Sequence, residues 1–342
     1  MKVSQHISLR PYHTFRIDVY AQQFATFTNT DELGALLDEA SGNPVLILGG
    51  GSNMLFTRDV EGWVLKNEIK GIAVVKEEQE YVYVRAGAGE SWHQLVMHCV
   101  NRGWAGIENL SLIPGCAGAS PMQNIGAYGV EIRDVFHSLT AFHIRDKKAH
   151  TFMLGDCGFG YRESVFKRRY KGEFVITDIT LRLSRQPVFR TSYGAIQQEL
   201  EKMGVQELSI KAISDAVIRI RSSKLPDPEK TGNAGSFFKN PSVPAAHFQA
   251  LQQQYPGIVG YSNDDDTVKL AAGWLIEHCG PQEGVSWKGY RSGDAGVHPA
   301  QALVLVNYES ATGQEIFSLS EKIVQSVKNK FNVALEREVN II

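Results

Sequence analysis

Hydrophobic residues recur along the chain at two spacings, and each spacing predicts a different kind of element. Strands are predicted where apolar residues run together or alternate with polar ones: within 44–56 and 81–89, where each strand runs into a glycine-rich turn, and over 174–184, 301–307 and 334–342. Helices are predicted where apolar residues return every three or four positions: 31–40, 91–104, 214–228, 268–280 and 319–333. Asp31 is the expected cap of the first helix, and Pro226, Pro228 and Gly280 are expected to end two others. Mixed strands and helices predict an α+β fold.

A change in sequence texture at about residues 200–225 predicts a boundary between two domains. The first predicted domain, 1–200, contains several glycine-rich turns. A smaller α+β domain is predicted over 214–330, and a separate strand over 331–342. No internal repeat of solenoid period is visible, so a repeat architecture is not expected.

Composition and charge restrict the classes of protein that fit this chain. Its 342 residues suffice for about two domains, and 43% hydrophobic with 21% charged residues is typical of globular proteins. A formal net charge of −2 gives no overall basic field for nucleic acid or an anionic membrane. No apolar run approaches the ~20 residues of a membrane span. The short basic run 167–171 is interpreted as a solvated surface turn, so we expect neither nucleic acid nor membrane as a partner.

The cysteines indicate the compartment. Cys99, Cys116, Cys157 and Cys279 form no Cys-x-x-Cys pair, and their spacing suits neither a zinc site nor a disulfide framework. Unpaired thiols of this kind fit a reducing compartment. The segment 1–15 contains no apolar core of a secretory signal. These observations predict a cytoplasmic protein without a metal site.

Two glycine-rich segments are candidates for ligand binding. LGGGSN, at 48–53, follows a strand, and its glycines allow backbone N–H groups to approach an anion closely. It matches neither a Walker loop nor a complete dinucleotide fingerprint, so a tight structural turn remains an alternative. IPGCAGASPMQNIGAYG, at 113–129, combines four glycines with almost no charge, which argues against an exposed linker. Two such loops in one strand-rich domain suggest a dinucleotide held by backbone amides.

Several longer motifs carry a resemblance to a known family. The chain resembles the bacterial UDP-N-acetylenolpyruvoylglucosamine reductases over nearly its whole length, and TSYGAI at 191–196 is similar to their larger, Escherichia-type branch. The resemblance implies an FAD-binding domain of the vanillyl-alcohol-oxidase (PCMH) type, with two α+β subdomains at about 1–70 and 71–200. It also implies a substrate-binding domain and a C-terminal strand that returns to the flavin site. The motifs, in chain order, are ILGGGSN, IPGCAGASPMQNIGAYG, FGYRESVFK, RSSKLPDP, GNAGSFFKNP and KLAAGWLIE.

The resemblance also implies a reaction in peptidoglycan precursor synthesis. Hydride passes from NADPH to FAD, and then from flavin N5 to the vinyl carbon of UDP-N-acetylenolpyruvoylglucosamine. Negative charge then develops on the neighbouring carbon and its carboxylate, and that carbon needs a proton to give UDP-N-acetylmuramate. We see no second dinucleotide fingerprint for NADPH, so both substrates are expected to use one cleft in turn, which predicts ping-pong kinetics.

Three residues are implied as catalytic by the same match. Arg162 would stabilise the developing charge, because a guanidinium is permanently cationic and can bind a carboxylate through two hydrogen bonds. Ser236 would protonate the enolate carbon, with Lys239 as a nearby positive charge. Glu338 would act with Arg162 on the substrate carboxylate; it and Glu336 are expected to face one side of a strand. Without the motifs, these three would be a surface arginine, a turn serine and an exposed strand glutamate.

The remaining site residues follow from the resemblance alone. Arg337 stands where the family usually has a proline, on the face expected to lie opposite Glu338. FAD is expected to bind non-covalently, because LGGGSN contains no histidine and His93 lies in a predicted helix. The substrate contacts are Tyr193, Lys224, Asn240 and Gln301. The FAD contacts are Gly49, Gly50, Gly51, Ser52, Asn53, Ile113, Pro114, Gly115, Ser120 and Gly126.

Two other functions remain alternatives for this sequence. A flavin oxidase of the same fold would keep the glycine loops but would not need Arg162, Ser236 and Glu338 together. A non-enzymatic nucleotide-sugar binding protein would keep Lys224 and Tyr193 but would contain no flavin. We expect the protein to be a monomer.

Overall fold

The computed structural model describes residues 2–192, 194–263 and 265–342, which form two compact units. Neither unit is continuous in sequence. The first unit contains the chain up to residue 7 together with 21–51 and 60–223. The second contains 8–20, 52–59 and 224–342. The predicted limits of the FAD-binding and substrate-binding domains remain predictions, because compactness alone does not show which unit binds which ligand.

The regular elements are numbered in chain order. The strands are β1 (Ser4–Ser8), β2 (Tyr20–Phe27), β3 (Val45–Leu48), β4 (Met54–Leu55), β5 (Val60–Asn67), β6 (Ile72–Glu77), β7 (Tyr81–Gly87), β8 (Gly126–Ala127), β9 (Val130–Glu131), β10 (Phe136–His143), β11 (Lys148–Met153), β12 (Phe174–Ser184), β13 (Gly232–Ser236), β14 (Ser242–Pro244), β15 (Gly260–Ser262), β16 (Thr267–Leu270), β17 (Arg291–Ser292), β18 (Ala295–Val297), β19 (Val304–Asn307) and β20 (Asn340–Ile341). The α-helices are α1 (Thr30–Glu39), α2 (Trp92–Val100), α3 (Gly194–Lys202), α4 (Ile210–Lys224), α5 (Ala245–Gln254), α6 (Ala272–Glu277) and α7 (Gly313–Phe331). Short 3₁₀ turns lie at Arg10–Tyr12, Glu108–Leu110, Ala117–Ala119, Pro121–Gln123, Ile132–Asp134, Leu154–Cys157 and Val165–Lys167.

The first unit begins with a four-stranded sheet in the order β1-β2-β5-β3, in which β2, β5 and β3 are parallel. Helix α1 covers this sheet through Leu33 and Leu36, which pack with Phe27 and Leu65. Asn29 caps α1, because its side chain accepts the Glu32 N–H at 2.9 Å. The predicted cap, Asp31, is therefore wrong: it lies in the first helical turn, where a carboxylate instead complements the helix dipole.

A five-stranded antiparallel sheet, β11-β10-β12-β7-β6, forms the other part of the first unit. The alternating sequence 174–184 predicted β12 correctly, and β12 pairs with β7 from Asp178↔Gly87 to Ser184↔Tyr81. Helix α2 is predicted correctly and packs on this sheet through Trp92, Leu95 and Val96. Burial of both apolar faces in one core therefore fixes the turn at residues 87–91, which connects β7 to α2.

Helices α3 and α4 pack against each other at the end of the first unit. Ile196 and Leu200 of α3 contact a row of buried residues on α4 that includes Ile213, Val217 and Ile220. Helix α4 begins four residues before the predicted start at 214, because Ile210 and Ile213 extend its apolar face. It ends at Lys224, before the predicted breaker Pro226.

The second unit is built on an antiparallel sheet in the order β13-β19-β18-β17. A three-stranded sheet, β14-β16-β15, and the parallel pair β20-β4 complete its strands. Helix α7 is 19 residues long, starts six residues before the predicted 319, and buries Ile316, Ile323 and Phe331. Thr312 and Glu315 form a capping box at its start. None of the described helices combines the length and the apolar content needed to cross a bilayer.

Two predicted elements differ in the structure. The predicted helix 268–280 is instead strand β16 followed by the short helix α6, because Leu270 N–H bonds to Pro241 O and draws the first residues into a sheet. The predicted strand 334–342 is regular only at β20. Its backbone pairs first with 237–239 and then with 53–57, and this change of partner interrupts the ladder.

Candidate active site

The two glycine-rich loops touch through their backbones in the first unit. A Cβ atom built on Gly50 would lie 2.6 Å from the Gly115 Cα atom, so no side chain fits at this contact. Gly51 and Gly115 have φ values of 60° and 110°, which favour glycine. Backbone amides can therefore approach a flat or phosphorylated ligand without intervening side chains, as an FAD-binding loop requires.

The turn that connects β7 to α2 also contacts the 113–129 loop. Gly118 N–H donates to Ala88 O at 3.0 Å, and a Cβ atom on Gly118 would lie 2.4 Å from the Ala88 Cβ atom. Ala117 N–H donates to Glu90 O at 2.7 Å. Ser120 is buried, and its hydroxyl donates to Ala117 O at 2.6 Å. These bonds hold the 113–129 loop against the β7–α2 turn.

The start of the 113–129 loop is clamped by two side chains. Leu112 N–H donates to Nδ1 of His93 at 3.0 Å, and Leu112 O accepts from Nε of Arg221 at 3.2 Å. Burial and the charge of Arg221 lower the pKa of His93, which favours the neutral ring that this acceptor role needs. Next to the clamp, Ile113 is half-buried against the core and Pro114 is exposed.

Arg162 lies in a tight turn of the first unit. Gly160 and Glu163 exchange two backbone hydrogen bonds, which makes Tyr161 and Arg162 the central residues of the turn, and Arg162 has a φ of 55°. The Arg162 Nη2 atom donates to Gly126 O at 2.9 Å. This bond joins the predicted catalytic arginine to the loop in which Ser120 and Gly126 are predicted FAD contacts.

Asn124 anchors the same turn and was missed from the sequence. It is fully buried with a φ of 44°, and its Nδ2 donates to Gly160 O at 3.0 Å and to Oε2 of Glu131 at 2.9 Å. Its Oδ1 accepts the Arg133 N–H at 3.2 Å. The available signal was an asparagine among glycines, since asparagine tolerates left-handed backbone better than most residues.

Ser236 is the exposed last residue of β13 in the second unit. Gly235, with a φ of 68°, precedes it within a break in the register between β13 and β19. Phe237 and Phe238 follow Ser236 and are buried, so they fix the backbone on its C-terminal side. Lys239 is also buried, and its Nζ lies 2.5 Å from Oε1 of Glu336.

Glu338 lies on the segment that pairs with the residues after Ser236. The Glu338 N–H donates to Phe237 O at 2.9 Å, and the backbones of Arg337 and Phe238 form an isolated antiparallel β-bridge. The Glu338 carbonyl accepts from Nδ2 of Asn53 at 3.1 Å, so this predicted FAD residue also holds the glutamate segment. The second unit thus brings Ser236 and Glu338 onto neighbouring backbones.

Arg337 and Glu336 have other partners in the second unit. The Arg337 Nε donates to Oγ of Ser320 at 2.9 Å, and its guanidinium forms an ion pair with Glu321 on α7. Glu336 is paired with Lys239, and its side chain is 70% exposed. These two contacts therefore hold the Arg337 side chain against α7.

The predicted substrate contacts lie in the second unit where they are described. Asn240 Oδ1 accepts the Ala272 N–H at 3.0 Å, and Gln301 Oε1 lies 3.2 Å from the position of a Cβ atom on Gly273. Both side chains therefore meet the start of α6. Lys224 is exposed as the last residue of α4. Tyr193 lies outside the described residues.

The contact of the two glycine loops excludes side chains, which suits a phosphate-bearing ligand such as a flavin dinucleotide. A family model described as an FAD binding domain matches residues 21–150. A second model, described as the C-terminal domain of UDP-N-acetylenolpyruvoylglucosamine reductase, matches residues 227–342. These matches confirm the predicted order of an FAD-binding domain followed by a second domain.

Proteins named UDP-N-acetylenolpyruvoylglucosamine reductase are similar to this chain over its full length. The one from Pseudomonas syringae pv. tomato is 48% identical over 100% of this chain and 99% of its own. The one from Flavobacterium johnsoniae is 45% identical over 100% of both chains. The crystal structure of the Thermus caldophilus enzyme has a TM-score of 0.67 at 24% identity, covering 100% of this chain and 99% of its own, and supports the fold. The chain belongs to the UDP-N-acetylenolpyruvoylglucosamine reductase family, which confirms the resemblance.

Proposed function

We propose that this chain reduces UDP-N-acetylenolpyruvoylglucosamine to UDP-N-acetylmuramate in the cytoplasm, as a step of peptidoglycan precursor synthesis. FAD, when bound, would supply the hydride-transfer chemistry between NADPH and the vinyl carbon of the substrate. The observation that carries the proposal is the pairing of backbones in the second unit, which places an exposed Ser236 beside the segment of Glu338. The protein acts as a monomer.

Backbone amides of the two touching loops hold FAD non-covalently in this proposal. The contact between Gly50 and Gly115 keeps side chains away, and positive φ values at Gly51 and Gly115 turn the backbone toward the ligand. The full set of FAD contacts is Gly49, Gly50, Gly51, Ser52, Asn53, Ile113, Pro114, Gly115, Ser120 and Gly126.

Arg162 and Glu338 act on the carboxylate of the substrate. The Arg162 side chain carries a planar guanidinium, and its bond to Gly126 O orients that group. As negative charge develops on the substrate, this fixed cation stabilises it without reorganisation. The backbone N–H and C=O of Glu338 are bonded to Phe237 and Asn53, so the position of its Cα atom is fixed.

Ser236 donates the proton to the substrate carbon. A serine hydroxyl is a weak acid, so it can protonate only a strongly basic centre such as an enolate carbon. Its exposure allows it to meet a bound substrate. Lys239 is already paired with Glu336, and we assign it no part in this step. Tyr193, Lys224, Asn240 and Gln301 bind the nucleotide sugar.

The test separates the two half-reactions by stopped flow without oxygen. NADPH first reduces the flavin, and UDP-N-acetylenolpyruvoylglucosamine is then added to wild type, Ser236→Ala and the control Ser292→Ala. Ser292 is an exposed serine on β17 of the same sheet. We expect normal flavin reduction in all three and loss of substrate turnover in Ser236→Ala alone. Turnover at the wild-type rate in Ser236→Ala would refute the assigned role.

Further measurements address the alternative functions and the order in which the substrates bind. An oxidase would reoxidise its flavin with oxygen faster than with the enolpyruvyl substrate. A binding protein would be purified without an absorbance band near ~450 nm, which the bound flavin of an oxidoreductase supplies. If NADPH and the substrate use one cleft in turn, double-reciprocal plots of the initial rates are expected to be parallel. Intersecting plots would contradict this ping-pong order.

A further inference from the structure

Asn233 lies three residues before Ser236 on β13 and is 2% exposed. Its side chain makes three hydrogen bonds within the second unit. The Oδ1 atom accepts the Gly235 N–H at 2.9 Å. The Nδ2 atom donates to Thr231 O at 2.9 Å and to Pro226 O at 3.1 Å. A buried amide with both its oxygen and its nitrogen engaged has one preferred orientation.

The bond from Gly235 to Asn233 closes a bulge in front of Ser236. Asn233 pairs with Val306 and Ser236 pairs with Val304, so β13 has one more residue than β19 between these pairs. Such an extra residue reorients the following side chain. Gly235 supplies the positive φ that the bulge needs, and Asn233 Oδ1 satisfies the Gly235 N–H. The direction of Ser236 therefore depends on Asn233.

The bond to Pro226 extends this arrangement to the segment after Lys224. Pro226 lies two residues beyond Lys224, where the chain leaves α4. Because one rigid side chain binds both this segment and the bulge, a shift of either one is transmitted to the other. The proposed function assigns Lys224 to the nucleotide sugar and Ser236 to the proton.

We propose that Asn233 is a positioning residue for proton donation: it fixes the bulge that aims the Ser236 hydroxyl and ties that bulge to the segment after Lys224. This inference rests on the proposed role of Ser236. Asn233 touches no reacting atom and acts only through Ser236. A misplacement of about 1 Å at a reacting group can lower a rate by about 100-fold, so loss of this support should be visible in the chemical step.

Asn307 provides a matched control. It is 3% exposed and lies on β19 of the same sheet. Its Nδ2 donates to Phe15 O at 3.0 Å and its Oδ1 accepts the Ala311 N–H at 2.9 Å. Asn307→Ala thus removes a comparable buried amide without touching the bulge at Gly235. Both alanine variants are expected to lose stability to a similar extent.

The experiment measures the two half-reactions in the flavin-loaded protein. Asn233→Ala is expected to keep the rate of flavin reduction by NADPH, to lose about 10- to 100-fold in reoxidation by UDP-N-acetylenolpyruvoylglucosamine, and to show a larger solvent deuterium isotope effect. Asn307→Ala is expected to keep both rates. In a Ser236→Ala background, Asn233→Ala should cause no further loss, because it acts through the same hydroxyl.

Equal reoxidation rates in Asn233→Ala and Asn307→Ala would overturn the inference, as would losses that multiply in the double variant. If Asn233→Ala does not fold, Asn233→Asp replaces it, since a carboxyl group of similar size keeps an acceptor for Gly235. Asn233→Asp also loses the donor to Pro226 O. A wild-type reoxidation rate in this variant would therefore overturn the inference that Asn233 ties the bulge to the segment after Lys224. Failure of the proposed function is distinguishable, because Ser236→Ala alone would then reoxidise normally.

Discussion

Replacing Gly50 by alanine should weaken FAD binding, whereas the same change at Gly49 should not. A Cβ atom on Gly50 would lie 2.6 Å from the Gly115 Cα atom, and ordinary contact begins at 3.4 Å. The two loops must therefore separate by about 0.8 Å, because all three atoms nearest to the added Cβ atom belong to the backbone of the other loop. On Gly49, the nearest atom would be the Cys116 Cβ at 3.9 Å, which is ordinary contact.

The magnitude follows from the cost of overpacking. Forcing a methyl group into a closed contact costs about 1–3 kcal/mol, which corresponds to a roughly 5- to 150-fold change in a dissociation constant. Because the loops are expected to hold FAD at their present separation, the apoprotein can relax and the strain reappears when FAD binds. The loss should therefore appear in FAD affinity more than in the stability of the apoprotein.

The assay is a titration of the deflavinated variants with FAD, followed by flavin fluorescence. Gly50→Ala is expected to bind FAD more weakly than Gly49→Ala and wild type, and thermal unfolding of the three apoproteins checks that all are folded. FAD binding by Gly50→Ala that equals binding by Gly49→Ala would refute the inference that this contact shapes the flavin site.

Two further predictions concern stability. Burial lowers the pKa of His13 from 6.5 to about 4, so protonation favours the unfolded chain. Stability present above pH 6.5 is lost as the pH falls toward 4, by up to about 3 kcal/mol, and His13→Gln should flatten this dependence in urea unfolding measured across that range. Thr312→Ala removes the capping box of α7 and should cost about 1 kcal/mol in urea unfolding; an unchanged midpoint would show that the cap is dispensable.

The sequence predicted those elements whose cores are local and regular. The strand at 174–184 and helix α2 followed from apolar spacing, because each buries one face along its whole length. Residues 268–270 were assigned to a helix, but their backbone bonds to 241–243. Pairing between distant segments leaves no periodic signal, so local spacing cannot reveal it.

The candidate site shows the same division. Arg162, Ser236 and Glu338 were found because long motifs of a known family surround them. Asn124 and Asn233 were not: Asn124 contacts Gly160, which is 36 residues away, and Asn233 contacts residues within seven positions in a pattern that no motif marks. Asn233 lies two residues before a glycine of positive φ, Gly235, and this pattern is common in ordinary turns and therefore unspecific.

The way the second unit is assembled has a consequence for its synthesis on the ribosome. Strand β4 pairs with β20, and Thr57 N–H donates to Ile342 O at 2.9 Å. Residues 52–59 must therefore wait for the translation of more than 280 further residues before they find their partners. The first unit, by contrast, has all its residues once position 223 has emerged. Vectorial synthesis thus leaves β4 and the polar residues beside it without these partners until the end of translation, and a chaperone that binds nascent chains has that whole interval in which to bind the segment.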